Sequence, residues 1–132
     1  MKKYVLDCSA AMHILLKKEK AELYYEMLYR DSWVLAPDLF RIEMANTLWK
    51  YVKAGQMTED EAQLLLSHGL SFVNQFVDTA QYMREAMHEG IRLNHSVYDM
   101  LYFTLARHEV AMLLTCDNRL VKLAASEGVG TA

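Results

Sequence analysis

Four carboxylates stand where solvated surface charge is not expected. Asp7 ends the apolar run Tyr4-Val5-Leu6, and Asp117 follows the apolar residues 110–114 after Thr115 and Cys116. Asp99 interrupts Val97-Tyr98-Asp99-Met100-Leu101-Tyr102-Phe103, and Glu43 lies between Phe40 and Trp49. Like charges repel, so acids placed together near a core need a compensating partner. A hard divalent cation serves several carboxylates at once. These residue types therefore point to a Mg²⁺- or Mn²⁺-dependent site.

The elements that must position them follow from pattern. Val5 and Leu6 read as a short buried strand leading into a helical turn over 11–16. Residues 19–30 form an amphipathic helix with Leu23, Met27 and Leu28 inward. The apolar run 33–36 stops at Pro37, and Asp38 is positioned to cap a helix that runs to about 54 and ends at Gly55. Thr58-Glu59-Asp60-Glu61 matches a capping box. Residues 71–77 are a candidate strand. Asp78 with Gln81 starts another helix that Gly90 ends, 96–108 is helical, 110–116 a strand and 118–127 a closing helix. The tail 128–132 reads as loose. The order β-α-α-β-α-α-β-α-α-β-α predicts one α/β domain over 1–132. It is a three-layer α/β/α arrangement with a central parallel sheet of four to five strands. Ligands of such sheets bind outside the carboxyl ends of the strands, where Asp7 and Asp117 both fall.

Each acid has an ordinary reading as well. Asp7 and Asp117 each precede a helix, so either could simply cap it. At 100° per residue, Leu39, Ile42, Ala45, Leu48, Trp49 and Val52 form the apolar side of their helix. Glu43 falls on the polar stripe with Asn46, Thr47, Lys50 and Lys53, where a solvated role is the default. Asp99 is the hardest to explain away, because its neighbours are apolar and an unpaired charge is almost never fully buried.

Bulk properties narrow the classes. The chain has 132 residues, 53% hydrophobic and 23% charged, which is a globular composition. A net charge of −3 offers no general attraction for nucleic acid, so any such contact needs a local patch or a metal. Cys8 and Cys116 are too few for a disulfide framework, and a reducing, cytoplasmic setting is expected. No apolar run is long enough to span a bilayer, and the start does not read as a signal peptide. The five histidines lack zinc-site spacing, and neither a Gly-rich phosphate loop nor a GxSxG elbow occurs. Neighbouring acids disfavour a thiolate at Cys8 or Cys116, which argues against a cysteine nucleophile.

The order and context of the acids resemble the PIN-domain family, specifically VapC-like toxins of toxin–antitoxin pairs. The resemblance rests on Val5-Leu6-Asp7-Cys8-Ser9-Ala10, on Glu43 with Asn46 in 41–48, on Tyr98-Asp99 in 96–106, and on Leu114-Thr115-Cys116-Asp117-Asn118-Arg119-Leu120. It covers essentially the whole chain. It implies a metal-dependent endoribonuclease that hydrolyses RNA phosphodiester bonds with Mg²⁺ or Mn²⁺. Asp7, Glu43, Asp99 and Asp117 map onto the acidic quartet of that family, and Ser9, Asn46 and Thr115 onto supporting polar positions. Asn118 and Arg119 stand where some members carry a further acid, which leaves one or two metals open. The resemblance also implies a small antitoxin protein as partner and a homodimer. Arg41, Lys50, Lys53 and Arg119 are candidate phosphate contacts. Competing readings are a non-catalytic PIN-like interaction module, a receiver-type phosphoacceptor domain and a haloacid-dehalogenase-type phosphatase. The last needs a second Asp where this chain has Ser9.

Overall fold

The computed structural model describes residues 1–132. Parallel strands need long crossovers, and here each crossover is a pair of helices. β1 (Lys2–Leu6) leads through α1 (Cys8–Leu15) and α2 (Ala21–Tyr29) to β2 (Ser32–Pro37). α3 (Leu39–Lys53) and α4 (Glu59–Ser71) follow, then β3 (Gln75–Val77). α5 (Thr79–Leu93) and α6 (Val97–Glu109) lead to β4 (Met112–Leu114), and α7 (Asn118–Ser126) follows it. The strand order is β3-β2-β1-β4, with every neighbouring pair parallel. Val5 pairs with both Leu35 and Leu113, so β1, β2 and β4 end on the same edge of the sheet.

Consecutive burial shows why the sheet is covered on both faces. Tyr4, Val5 and Leu6 are all buried, as are Val34, Leu35 and Ala36 in β2 and Leu113 and Leu114 in β4. Successive strand residues point to opposite faces, so such runs need a layer on each side. α6 lies across β1, β2 and β4, and α5 packs on α6. Every residue from Met100 to Ala106 is buried, and that apolar cushion carries Asp99 at its N-terminal end.

Several elements differ from the sequence pattern. α2 buries Tyr24 and Leu28 and leaves Leu23 exposed. The Tyr24 hydroxyl donates to the carbonyls of Thr115 (3.3 Å) and Ala132 (2.9 Å), so the ring enters the core with its polar end satisfied. α3 turns Phe40, Met44 and Leu48 inward, while Ile42, Ala45 and Trp49 face outward. That rotation brings Glu43 to the edge of the buried face. Asp38 precedes α3 but does not cap it; its carboxylate accepts from the backbone N–H and hydroxyl of Thr79. Thr58 does cap α4, accepting from the Glu61 N–H at 3.1 Å.

The strand expected over 71–77 is only Gln75–Val77, because α4 runs to Ser71. Asn74 bonds both backbone groups of Val34 there, one through its side chain, and replaces a ladder rung. α5 continues through Gly90 to Leu93 and stops at Asn94, whose φ is 53°. Val110, with a φ of 51°, ends α6, and β4 is correspondingly short. The tail expected to be loose is docked. Val129 is buried, Gly130 accepts from the Leu113 N–H at 2.8 Å, and Thr131 bridges to Leu113.

Candidate active site

Asp7 sits where β1 hands over to α1. Its backbone N–H donates to the Leu114 carbonyl, so the end of β1 is fastened to the end of β4. Its Oδ1 accepts from the Ala10 N–H (3.0 Å) and the Ser9 hydroxyl (2.7 Å), the helix cap that sequence suggested. Asp117 does the same after β4, its Oδ1 accepting from the Arg119 and Leu120 N–H groups. Both caps engage only Oδ1, so capping and a functional role are compatible. Ser9 and Thr115 brace the two strand ends: their hydroxyls lie 3.3 Å apart, Ser9 Oγ accepts from the Cys116 N–H, and Thr115 Oγ1 accepts from the Asp117 N–H.

The other two acids come from helices. Asp99 is in the first turn of α6, where Ser96 caps the helix by accepting the Asp99 N–H. His95 Nε2 lies 2.9 Å from Asp99 Oδ2. Glu43, on the second turn of α3, accepts the Tyr102 hydroxyl at 2.5 Å across 59 residues of sequence. The helix axes bring α3 and α6 side chains to the same edge that β1 and β4 end on, which is where a parallel sheet leaves a crevice.

A cleft of about 390 Å³ is lined by Asp7, Glu43, Asp99 and Asp117 together with Cys8, Ser9, Met12, His13, Lys18, Thr47 and Tyr102. Asn46 is exposed and is not among its walls; Thr47, the next residue, is. Of the candidate phosphate contacts, Arg41 stacks on Phe76 with its guanidinium 3.9 Å from the ring, and Arg119 donates to the Asn94 carbonyl. Neither they nor Lys50 and Lys53 line the cleft, and its one lysine is Lys18, from the loop between α1 and α2. Thr47 and Tyr102 could have been found from spacing, since each lies three or four residues from an acid on the same helical face; His95 lies outside α6, before its Ser96 cap, and had only its nearness to Asp99 in sequence. Lys18 carried no such signal.

Burial and mutual repulsion strain the charge. Asp7 is buried, and its carboxyl rises to about 6, chiefly by desolvation; bonds from Thr115, Ala10 and Ser9 pull it down and Asp99 pushes it up. Glu43 is raised by burial and by Asp99, against the lowering Tyr102 bond. Burial, with Glu43 and Asp7 nearby, pushes the Cys8 thiol up to about 11, which disfavours it as a nucleophile. No Lys or Arg forms an ion pair with any of the four acids. Ligand atoms of His95, Asp99 and Asp117 lie within 4.8 Å of one another. A converging set of hard oxygen donors without a paired lysine or arginine fits a divalent metal of the Mg²⁺ or Mn²⁺ type.

Known proteins similar to this chain bear on its family and its fold. Ribonuclease VapC3 of Pyrobaculum aerophilum is 29% identical over 122 residues, spanning 91% of this chain and 93% of that one. A crystal structure of a P. aerophilum protein matches with a TM-score of 0.73 and 22% identity, covering 98% of this chain and 90% of that one. VapBC2 of Rickettsia felis, bound to a DNA fragment from their promoter, matches with a TM-score of 0.71 and 17% identity, covering 98% and 97%. These structural likenesses bear on the fold. No helix is long and apolar enough to cross a membrane. The family model for the PIN domain matches residues 4–126, a span that contains all four acids. The chain belongs to the PIN domain family.

Proposed function

We propose that this protein is a divalent-metal-dependent endoribonuclease and the toxin of a toxin–antitoxin pair. The observation that carries this reading is the convergence of Asp7, Glu43, Asp99 and Asp117 on one cleft with no lysine or arginine paired to them. The ribonuclease relative and the VapBC structures support the substrate class and a small antitoxin partner. Outward apolar residues on α3 and α5, among them Ile42, Trp49, Met83, Met87 and Ile91, are consistent with a homodimer.

Asp7, Asp99 and Asp117 would hold the cation, with Glu43 either joining them or orienting a water. A bound divalent ion lowers the pKa of water and neutralises charge on the scissile phosphate. The protein supplies the rest. Ser9 and Thr115 keep Asp7 and Asp117 at a fixed separation. The Tyr102 hydroxyl holds one oxygen of Glu43 and leaves the other to accept a proton from an attacking water. Lys18 at the mouth offers the only lysine charge to an incoming phosphate.

The test is cleavage of labelled RNA in Mn²⁺, in Mg²⁺ and in excess EDTA, with the native chain and with Asp99→Asn. Metal-dependent cleavage that the variant loses while keeping its melting behaviour is the expected result. Equal cleavage by native chain and variant overturns the site, and metal-bound protein that never cleaves RNA favours the interaction module.

A further inference from the structure

His95 has no place in the chemistry so far, yet it touches the site. Its side chain is only 4% exposed, and it is not among the residues that line the cleft. It stands behind Asp99, four residues earlier in sequence, with Nε2 against Oδ2. Its other ring nitrogen, Nδ1, is buried without a hydrogen-bond partner. Two neutral forms of the ring are possible. Hydrogen on Nδ1 would bury an unpaired N–H and set the Nε2 lone pair against a carboxylate oxygen. Hydrogen on Nε2 lets the ring donate to Asp99 and leaves only a lone pair unmatched. The second arrangement fits the contacts. A leucine would fill a similar space without an unmatched polar atom, so packing does not explain a histidine here.

The backbone around His95 is held unusually firmly for a connection between helices. The His95 N–H donates to the Gly90 carbonyl at 3.0 Å. A side chain at position 90 would place its Cβ 2.8 Å from the His95 carbonyl oxygen, so the elbow closes only over glycine. Asn94 turns the chain with a positive φ, and its carbonyl accepts from Arg119 Nη2 at 2.8 Å. Arg119 belongs to the first turn of α7, whose cap is Asp117. Ser96, next to His95, caps the turn that bears Asp99. The elbow 94–96 thus ties α5, α6 and α7 together at the point where Asp99 and Asp117 meet.

We propose that His95 is a positioning residue for Asp99. Its Nε2–H fixes one carboxylate oxygen and leaves the other for the divalent cation that Asp117 shares. The idea rests on the metal-dependent reading of the cleft. Buried partners of metal-binding carboxylates orient them, and losing such a partner typically costs about 10–100-fold in metal affinity.

The experiment is Mn²⁺ binding by calorimetry to the metal-free native chain, to His95→Leu and to His95→Gln, with thermal melts in EDTA and pulsed electron paramagnetic resonance of bound Mn²⁺. His95→Leu should bind Mn²⁺ about 10–100-fold more weakly while melting at or above the native temperature in EDTA. His95→Gln, whose amide N–H can reach the place of Nε2, should recover most of the affinity. The native Mn²⁺ signal should show no coupling to a directly bound nitrogen. Equal affinity in native and His95→Leu overturns the proposal. A loss of affinity that tracks a lower melting temperature in EDTA overturns it too, as a structural effect. Coupling to imidazole nitrogen overturns it by making His95 a ligand. A native chain that binds no Mn²⁺ overturns the metal reading itself, a distinct failure that the comparison identifies.

Discussion

Tyr102 and Glu43, on different helices, share a hydrogen bond of 2.5 Å at the wall of the cleft. The bond holds a carboxylate that burial and Asp99 push toward protonation. Tyr102→Phe keeps the ring and removes the donor. Without that bond the Glu43 carboxyl rises further, so the acid limb of the pH–rate profile should move to higher pH. Cleavage at neutral pH should fall roughly 10–100-fold with the melting temperature little changed. An unchanged profile would remove Glu43 from any proton-handling role.

Asp7 links the site to stability. Its folded value, about 6, lies above the ordinary 3.8, so folding favours the protonated form. In EDTA the contribution of Asp7 to stability should therefore fall as pH rises from about 4 through 6 and change little beyond. Asp7→Asn retains the acceptor for Ala10 and Ser9 but carries no charge. It should stabilise the metal-free protein by roughly 2 kcal/mol at pH 8 and much less at pH 4. Denaturant melts at the two pH values, with and without Mn²⁺, check this; only the native chain should gain stability from the metal.

Lys18 is the one lysine at the cleft. Lys18→Ala should raise KM for RNA several-fold and leave kcat nearly unchanged. Binding measured with Ca²⁺ in place of Mn²⁺ should lose about 0.7 from its salt slope, the signature of one phosphate contact on a single strand. A variant with native KM would place the RNA path elsewhere.

Outside the lining of the cleft, Glu89 is buried between Arg92 and Arg107, and Arg92 reaches on to Glu127. The Arg92 and Arg107 bonds hold its carboxyl near 2. Because that lies below the ordinary 4.5, the stabilisation is complete above about pH 4.5 and disappears as pH falls toward 2. Both arginines are partly exposed, so Glu89→Gln should cost roughly 2 to 3 kcal/mol at pH 7, less than a fully buried pair. Melts in an acid series should show the native and variant curves converging near pH 2, with RNA cleavage at pH 7 unaffected below the melting temperature.

The fold was legible because burial on both sheet faces writes unbroken apolar runs such as Tyr4-Val5-Leu6, and because Thr58 and Gly55 mark helix ends by local chemistry. Asp7 and Asp117 were readable from their strand ends. Glu43 was harder, since α3 is rotated from its apolar pattern: Ile42 and Trp49 are exposed although they look like core. A helix with apolar residues on two sides does not declare which one packs. Gly90 misled for a related reason. Glycine ends many helices, but here it lies within α5 to admit the His95 carbonyl. Asn46 and Thr47 were indistinguishable by type, and only the packing of Met44 and Leu48 decides which turns toward the acids. Lys18 could not be read at all, because a loop lysine acquires meaning only from the crevice it overhangs.

The brace between Ser9 and Thr115 spans 106 residues, and β1 lies between β2 and β4. During synthesis β1 and β2 can pair early, but β4, which completes the acidic crevice, is made after the other three strands. Contacts of such separation form slowly. A chain in which β4 has not docked has no complete crevice, because Asp117 reaches Asp7 only through β4. The topology itself makes completion of the crevice a late event in folding, whatever the order in which the helices form.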